Sequence, residues 1–137
     1  MVAHRRAGKT VACVNELIAR AVYSKKKRPV YAYIGPQLKQ AKKVAWEYLK
    51  EYTAGLVDKV SESELYVRLA HNGAVINIYG ADNPDSFRGQ YFDGVVLDEY
   101  ADMHPGVWSS VLVPALSDRK GWAVFIGTPK EIGRAHV

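Results

Sequence analysis

Only one cysteine, Cys13, occurs in the 137 residues. A lone thiol excludes a disulfide framework and any metal site built from several cysteines. The histidines His4, His71, His104 and His136 show no metal-ligand spacing, so no zinc site is expected. No apolar run approaches the roughly 18 residues of a membrane span. The first residues also lack the apolar stretch of a secretory leader. No membrane association is therefore expected, and a cytosolic setting follows by default. Internal repeats and low-complexity tracts are missing too. With 48% hydrophobic and 24% charged residues, the chain has the composition of one globular domain without long disorder.

Acidic residues are scarce in the first part of the chain. Residues 1–50 carry 12 Lys+Arg and 2 Asp+Glu, a net +10, whereas residues 51–137 carry 7 and 12, a net −5. The basic part suits a polyanionic partner or, more blandly, solvated lysines on helix faces. The acidic part holds the candidate metal-binding carboxylates.

Hydrophobic spacing predicts a helix from Thr10 to about Tyr23, with Val11, Val14, Leu17, Ile18, Ala21 and Val22 on its apolar side. Met1–Ala3 reads as the end of a strand. Val30–Ile34 reads as a short strand, broken by Gly35-Pro36. A second helix runs from Gln37 to about Tyr52. Glu64–Leu69 and Val75–Tyr79 flank His71-Asn72-Gly73, the strongest hairpin signal in the chain. After a polar loop, Ala81–Gln90, the strand Gly94–Leu97 leads into Asp98-Glu99. A helix from Pro105 to about Leu116 and a strand Trp122–Ile126 complete the series. This alternation predicts an α/β fold, a mainly parallel sheet flanked by helices with a β-hairpin insertion. In such sheets ligands collect at the carboxyl ends of the strands. Gly8-Lys9-Thr10, Pro36, Asp98-Glu99 and Thr128-Pro129 are all expected there.

Ala3-His-Arg-Arg-Ala-Gly-Lys-Thr10 approaches the phosphate-binding loop G-x-x-x-x-G-K-[ST], with Ala3 in place of the first glycine. Gly8 lets backbone N–H groups approach phosphate oxygens. Lys9 can reach the β/γ-phosphates, and Thr10 offers a hydroxyl to Mg²⁺. The alternative is a basic loop before a helix. Val95-Val96-Leu97-Asp98-Glu99 delivers two adjacent carboxylates at the end of a buried strand. Alternation points them in different directions, so they can do different jobs. Asp98 would hold Mg²⁺, and Glu99 would orient and deprotonate the attacking water. Arg88 sits in the loop before that strand. It either stabilises charge on a transferring phosphate or pairs with Asp85 or Asp93. The Thr128 hydroxyl either senses a γ-phosphate or belongs to a Gly-Thr-Pro turn.

Together these motifs resemble the ATPase domain of the large terminase subunit of tailed bacteriophages, the motor that packages DNA into a procapsid. HRRAGKT, YIGPQLKQAKKVAWEYLKEY, NGAVINIYGADNPDSFRGQYFDGVVLDEYADM and DRKGWAVFIGTPK carry the likeness, in the family's order. The resemblance implies a P-loop NTPase core of the additional-strand, catalytic-glutamate type. The strand ending at Thr128 would then lie between the phosphate-loop strand and the Asp98 strand. ATP would be held by Arg5, Arg6, Ala7, Gly8, Lys9 and Thr10, and Mg²⁺ by Thr10 and Asp98. Arg5 or Arg6 matches the arginine inside the family's phosphate loop, which makes Arg6 a catalytic candidate beside Glu99. Arg88 matches its arginine finger and Thr128 its coupling motif. Pro36 and Gln40 look like a helicase-type motif that contacts DNA or couples to it. The implied partners are double-stranded DNA, a portal protein, a small terminase subunit and further copies in a homo-oligomeric ring on the procapsid. The setting would be the host cell cytoplasm.

The resemblance also sets expectations about extent. Residues 1–130 correspond to a partial ATPase domain, truncated at both ends, with the nuclease domain absent. Glu131 stands where the family usually has Gly. Ile132–Val137 is what ATCGGAAGAGCACACGTC encodes, a string that looks like a sequencing adapter, so residues 131–137 are expected to be a non-native tail. Two rival functions are a helicase-like P-loop ATPase of another family and a fragment without turnover in isolation.

Overall fold

The computed structural model describes residues 2–127, with side chains from Gly8 onward. Thr128, the 131–137 tail and the side chains of Arg5, Arg6 and Ala7 lie outside the described residues. The chain begins with α1 (Val2–Tyr23), followed by β1 (Val30–Gly35). A long second helix comprises α2 (Leu38–Ala41), a π-wound stretch Lys42–Trp46, and α3 (Glu47–Thr53). Then come β2 (Val57–Ser61), β3 (Tyr66–Leu69), β4 (Val75–Gly80) and β5 (Gly94–Asp98). A π-wound stretch Val107–Leu112 runs into α4 (Val113–Ser117), and β6 (Trp122–Ile126) closes the described chain.

Six strands form one sheet in the order β2-β3-β4-β1-β5-β6. β4, β1, β5 and β6 are parallel, while β2 and β3 run antiparallel at one side. The mainly parallel sheet with its hairpin is thus the arrangement expected from the pattern. β1 and β5 lie in its middle and are buried on both faces, which is why VYAYI and VVL read as continuous apolar runs. Alternation sends Tyr31, Tyr33 and Val96 into one core layer with α1, Ala45, Trp46 and Leu49. It sends Ala32, Ile34, Val95 and Leu97 into the other, with Phe87, Phe92, Leu112 and Leu116. Helices therefore cover both faces, and the four parallel strands all end at one edge, at Gly35, Gly80, Asp98 and Ile126.

Two expectations need correction. The pattern makes Met1–Ala3 the end of a strand and residues 3–9 a loop, but α1 is helical from Val2. Ala3, Arg5, Arg6, Ala7 and Lys9 are strong helix formers, and together they outweigh the roughly 1 kcal/mol that Gly8 costs inside a helix. The second correction is β2, which the pattern does not announce. Its apolar residues, Val57 and Val60, are not in strict alternation, and it forms by pairing with β3. β6 lies beside β5, as the strand leading to Thr128 should; a phosphate-loop strand on its far side is not among the described residues.

Candidate functional site

The site is built where α1 crosses the carboxyl ends of β1 and β5. On α1 the buried stripe of Cys13, Val14, Leu17 and Ala21 faces the sheet. One helical turn before Cys13 the same stripe presents Lys9, and Thr10 beside it is buried. On β5, Asp98 follows Val96 on the face toward α1 and is only 5% exposed. Lys9 Nζ lies 3.0 Å from Asp98 Oδ1 and also donates to Glu99 Oε1. Two acids and one ammonium thus share one point.

Glu99 reaches that point by an unusual route. Strand alternation would send it to the opposite face from Asp98, but β5 ends at Asp98. Glu99 has φ 55° and ψ 48°, the left-handed region, before a 3₁₀ turn at Tyr100–Asp102. That bend brings its carboxylate round to Lys9, so the two acids converge rather than diverge. A left-handed non-glycine residue costs on the order of 1–2 kcal/mol, and such strain concentrates at functional positions.

Asp98 has a second neighbour that sequence reasoning missed. The hydroxyl of buried Tyr33 donates to Asp98 Oδ2 at 2.5 Å. Burial, then the charge of Asp98 and this hydrogen bond, push the Tyr33 phenol well above its ordinary value, with Thr10 hydrogen bonding acting the other way. Tyr33 therefore stays a donor. Burial works against the Lys9 charge, but the hydrogen bond to Glu99 and the close contact with the Asp98 carboxylate outweigh it and hold the ammonium above its ordinary value. Asp98 Oδ1 is buried with no hydrogen bond; the Lys9 contact is an ion pair without hydrogen-bond alignment.

These groups line a cavity of about 920 Å³. It brings together Lys9, Thr10, Pro36, Gln40, Asp98 and Glu99. The lining also includes Asp82, whose Oδ1 accepts the Leu38 N–H at 3.0 Å, together with Asp102 and His104. The lining thus holds four acids, Asp82, Asp98, Glu99 and Asp102, and one lysine, Lys9, so it is rich in oxygen donors. Asp98 Oδ1, buried without a hydrogen bond, and the hydroxyl of buried Thr10 on the same cavity lining are oxygen donors of the kind Mg²⁺ takes. The residues present fit that ion.

Arg88 is not among the residues lining the cavity. It is exposed, and its Nε donates to Asp85 Oδ1 at 2.9 Å. Strand parity is the one signal that points to Tyr33, since it shares a face with Val96 and Asp98. Its meeting with Asp98, 65 residues away, depends on the pairing of β1 with β5, which no local pattern announces.

The family model described as terminase large subunit, T4likevirus-type, N-terminal, matches residues 1–132. The chain is 52% identical over 50 residues to the large terminase subunit of Thermus phage G20c, and equally to that of Thermus virus P23-45. Those matches cover 36% of this chain and 10% of each relative. The stretch of the chain that matches thus spans only about a tenth of the length of these relatives. Among solved structures it is similar to the Thermus phage P74-26 large terminase ATPase domain, with 26% identity and a TM-score of 0.75 over 91% of this chain and 57% of that one. The large terminase of another thermophilic bacteriophage, in complex with ADP, shares the fold, with 19% identity and a TM-score of 0.63 over 89% of this chain and 31% of that one.

Proposed function

The chain belongs to the T4likevirus-type large terminase subunit family, N-terminal part, and on that premise we propose that it is the ATP-hydrolysing core of a motor that drives double-stranded DNA into a phage procapsid. One observation carries the reading: Lys9, Asp98 and Glu99 meet at the wall of a single cavity at the carboxyl edge of a parallel sheet. The solved complexes of the thermophilic-phage large terminase with ADP and with ATP-gamma-S support a nucleotide in this fold.

In this reading Lys9 leaves the carboxylates for the β/γ-phosphates of ATP. Glu99 would then orient the attacking water and accept its proton. Thr10 and Asp98 would hold Mg²⁺, which supplies charge neutralisation on the phosphates when bound. For backbone N–H groups around Gly8 to face phosphate oxygens, the turn before Lys9 must leave its helical form, because helical N–H groups are already committed. Arg5, Arg6 and Ala7 would belong to the resulting loop, with Arg6 near the reacting phosphate. Pro36 and Gln40, on the cavity wall, and Thr128 would pass the state of the site to DNA. The exposed Lys39, Lys42 and Lys43 suit a phosphate backbone, and binding there should weaken with salt.

Arg88, exposed and braced by Asp85, would act on the ATP of a neighbouring copy in a homo-oligomeric ring. Portal protein and small terminase subunit would be the further partners, in the host cytoplasm. Lys9→Ala in the full chain should abolish nucleotide-dependent turnover; undiminished ATPase activity would overturn the reading. Arg88→Ala mixed with Glu99→Gln should recover activity that neither has alone, because mixed interfaces pair an intact Arg88 with an intact Glu99. No recovery in rings shown to be mixed leaves Arg5 or Arg6 as the better finger.

A further inference from the structure

We propose that Tyr33 is a positioning residue: its hydroxyl fixes Asp98 so that Oδ2 is held by the protein and Oδ1 is kept for the divalent cation. The inference rests on the reading of Asp98 as metal-holding and adds a residue to it.

The geometry begins with the register. Tyr33 is paired with Val96 across β1 and β5. Asp98 lies two positions further along β5, on the same face. A diagonal neighbour of this kind is about 7–8 Å away between backbones, within reach of a tyrosine but not of a shorter side chain. The ring is buried in the core beneath α1, 2% exposed, so its hydroxyl is held at one place. It reaches Asp98 Oδ2 at 2.5 Å.

The two oxygens of Asp98 are thereby made unequal. Oδ2 has a buried hydrogen-bond donor. Oδ1 has no hydrogen bond and only the ammonium of Lys9 at 3.0 Å. When Lys9 moves to a phosphate, Oδ1 is the oxygen left uncompensated. A carboxylate free to rotate would offer either oxygen and lose that orientation on binding a cation. Hydrogen bonds that orient a metal-holding group typically matter about 10–100-fold in metal affinity. A tyrosine that merely needed an acceptor would give the same hydrogen bond, so the test must read the metal.

The test uses Tyr33→Phe, which keeps the ring in its core slot and removes the donor. Mn²⁺ binding in the presence of ADP is measured by electron paramagnetic resonance, with Asp98→Asn in parallel. The expected result is about a 10-fold loss of Mn²⁺ affinity, with ADP affinity in a metal chelator unchanged. The Mg²⁺ concentration for half-maximal turnover should rise more than kcat falls. Tyr33→Met, which also lacks the donor, should behave alike and serves if the first variant is unstable. Mn²⁺ affinity within about two-fold of wild type in Tyr33→Phe, with Asp98→Asn weakened, overturns the role of Tyr33 alone. Unchanged affinity in Asp98→Asn overturns the metal-holding role of Asp98, and the inference falls with it.

Discussion

β5 carries a buried carboxylate at each end of its run, Asp93 just before the strand and Asp98 at its close. Asp93 is fully engaged. Its Oδ1 accepts Lys26 Nζ at 2.9 Å and Arg119 Nε at 3.1 Å, and its Oδ2 accepts the Val30 N–H at 2.8 Å. Its backbone N–H donates to Val30 O, and its carbonyl accepts the Trp122 N–H. One residue thus ties the amino ends of β1, β5 and β6. Asp98, at the other end of the strand, has one hydrogen bond and an ion pair with a lysine that has a second carboxylate to serve. Both side chains are buried, yet only one is paired for stability. A buried charge that has all its partners is costly to disturb, and an under-satisfied one calls for a further partner, here the proposed cation.

The largest effects should separate along that line. Glu99→Gln keeps shape but removes the proposed base, so turnover should fall about 10²–10⁴-fold, while the melting temperature stays within a few degrees of wild type. Asp93→Ala leaves the Val30 N–H and two partly exposed cations, Lys26 and Arg119, without their acceptor and should cost about 2 kcal/mol, a drop of roughly 5–10 °C in Tm. Its turnover per folded molecule should be unchanged. Thermal melts and ATPase assays on the two variants decide this. Equal losses of stability in both would erase the distinction between the ends.

Acid should sharpen the comparison by a smaller amount. Burial opposes the Asp93 charge, but the Val30 N–H, Lys26 and Arg119 outweigh it and hold the carboxyl below its ordinary value of 3.8. A carboxyl whose folded value is depressed stabilises the fold above its unfolded value and loses that contribution as pH falls through the folded one. The stability gap between wild type and Asp93→Asn should be constant above about pH 5 and shrink below 3.8. Urea denaturation from about pH 3 to 6 measures it. A gap that widens in acid would mean that Asp93 is not held as an anion by these partners.

These contrasts also show which parts of the molecule local pattern can reveal. β1 and β5 announce themselves because buried parallel strands are continuous apolar runs, β6 by its short apolar run, and β4 because Asn72-Gly73 marks the turn before it. Asp98 and Glu99 stand out as charges at the end of such a run, and Lys9 through the Gly8-Lys9-Thr10 motif. What is illegible is non-local. β2 has one face in solvent and little alternation, and needs β3 beside it. The left-handed turn at Glu99 reverses a direction that alternation would have set. Tyr33 and Asp93 depend on which strands are neighbours, and their partners lie 65 and up to 67 residues away. The helical start of α1 escapes for the opposite reason, since local propensity there outweighs the motif.

The smallest expected effect uses Cys13 as a reporter of the Asp98 end. The thiol is 3% exposed, one turn after Lys9 on α1. Burial first, then the negative charge of Asp98, push it up to about 12, while Lys9 pulls the other way. At pH 8 about one thiol in 10⁴ is thiolate, so alkylation of the folded chain should be slow. Asp98→Asn removes a charge that opposes the thiolate and should speed labelling a few-fold. Lys9→Met keeps the methylene cover but removes the favourable charge, so labelling should slow. Asp93→Asn has no such electrostatic route to Cys13. It can act only by letting the whole chain open more often, and its acceleration should match the stability lost in urea. Labelling followed by mass spectrometry under native conditions gives all three rates. If Asp93→Asn sped labelling beyond its loss of global stability, the two ends of β5 would be coupled through the strand. The fold and the site would then not be separable in the way their hydrogen bonds suggest.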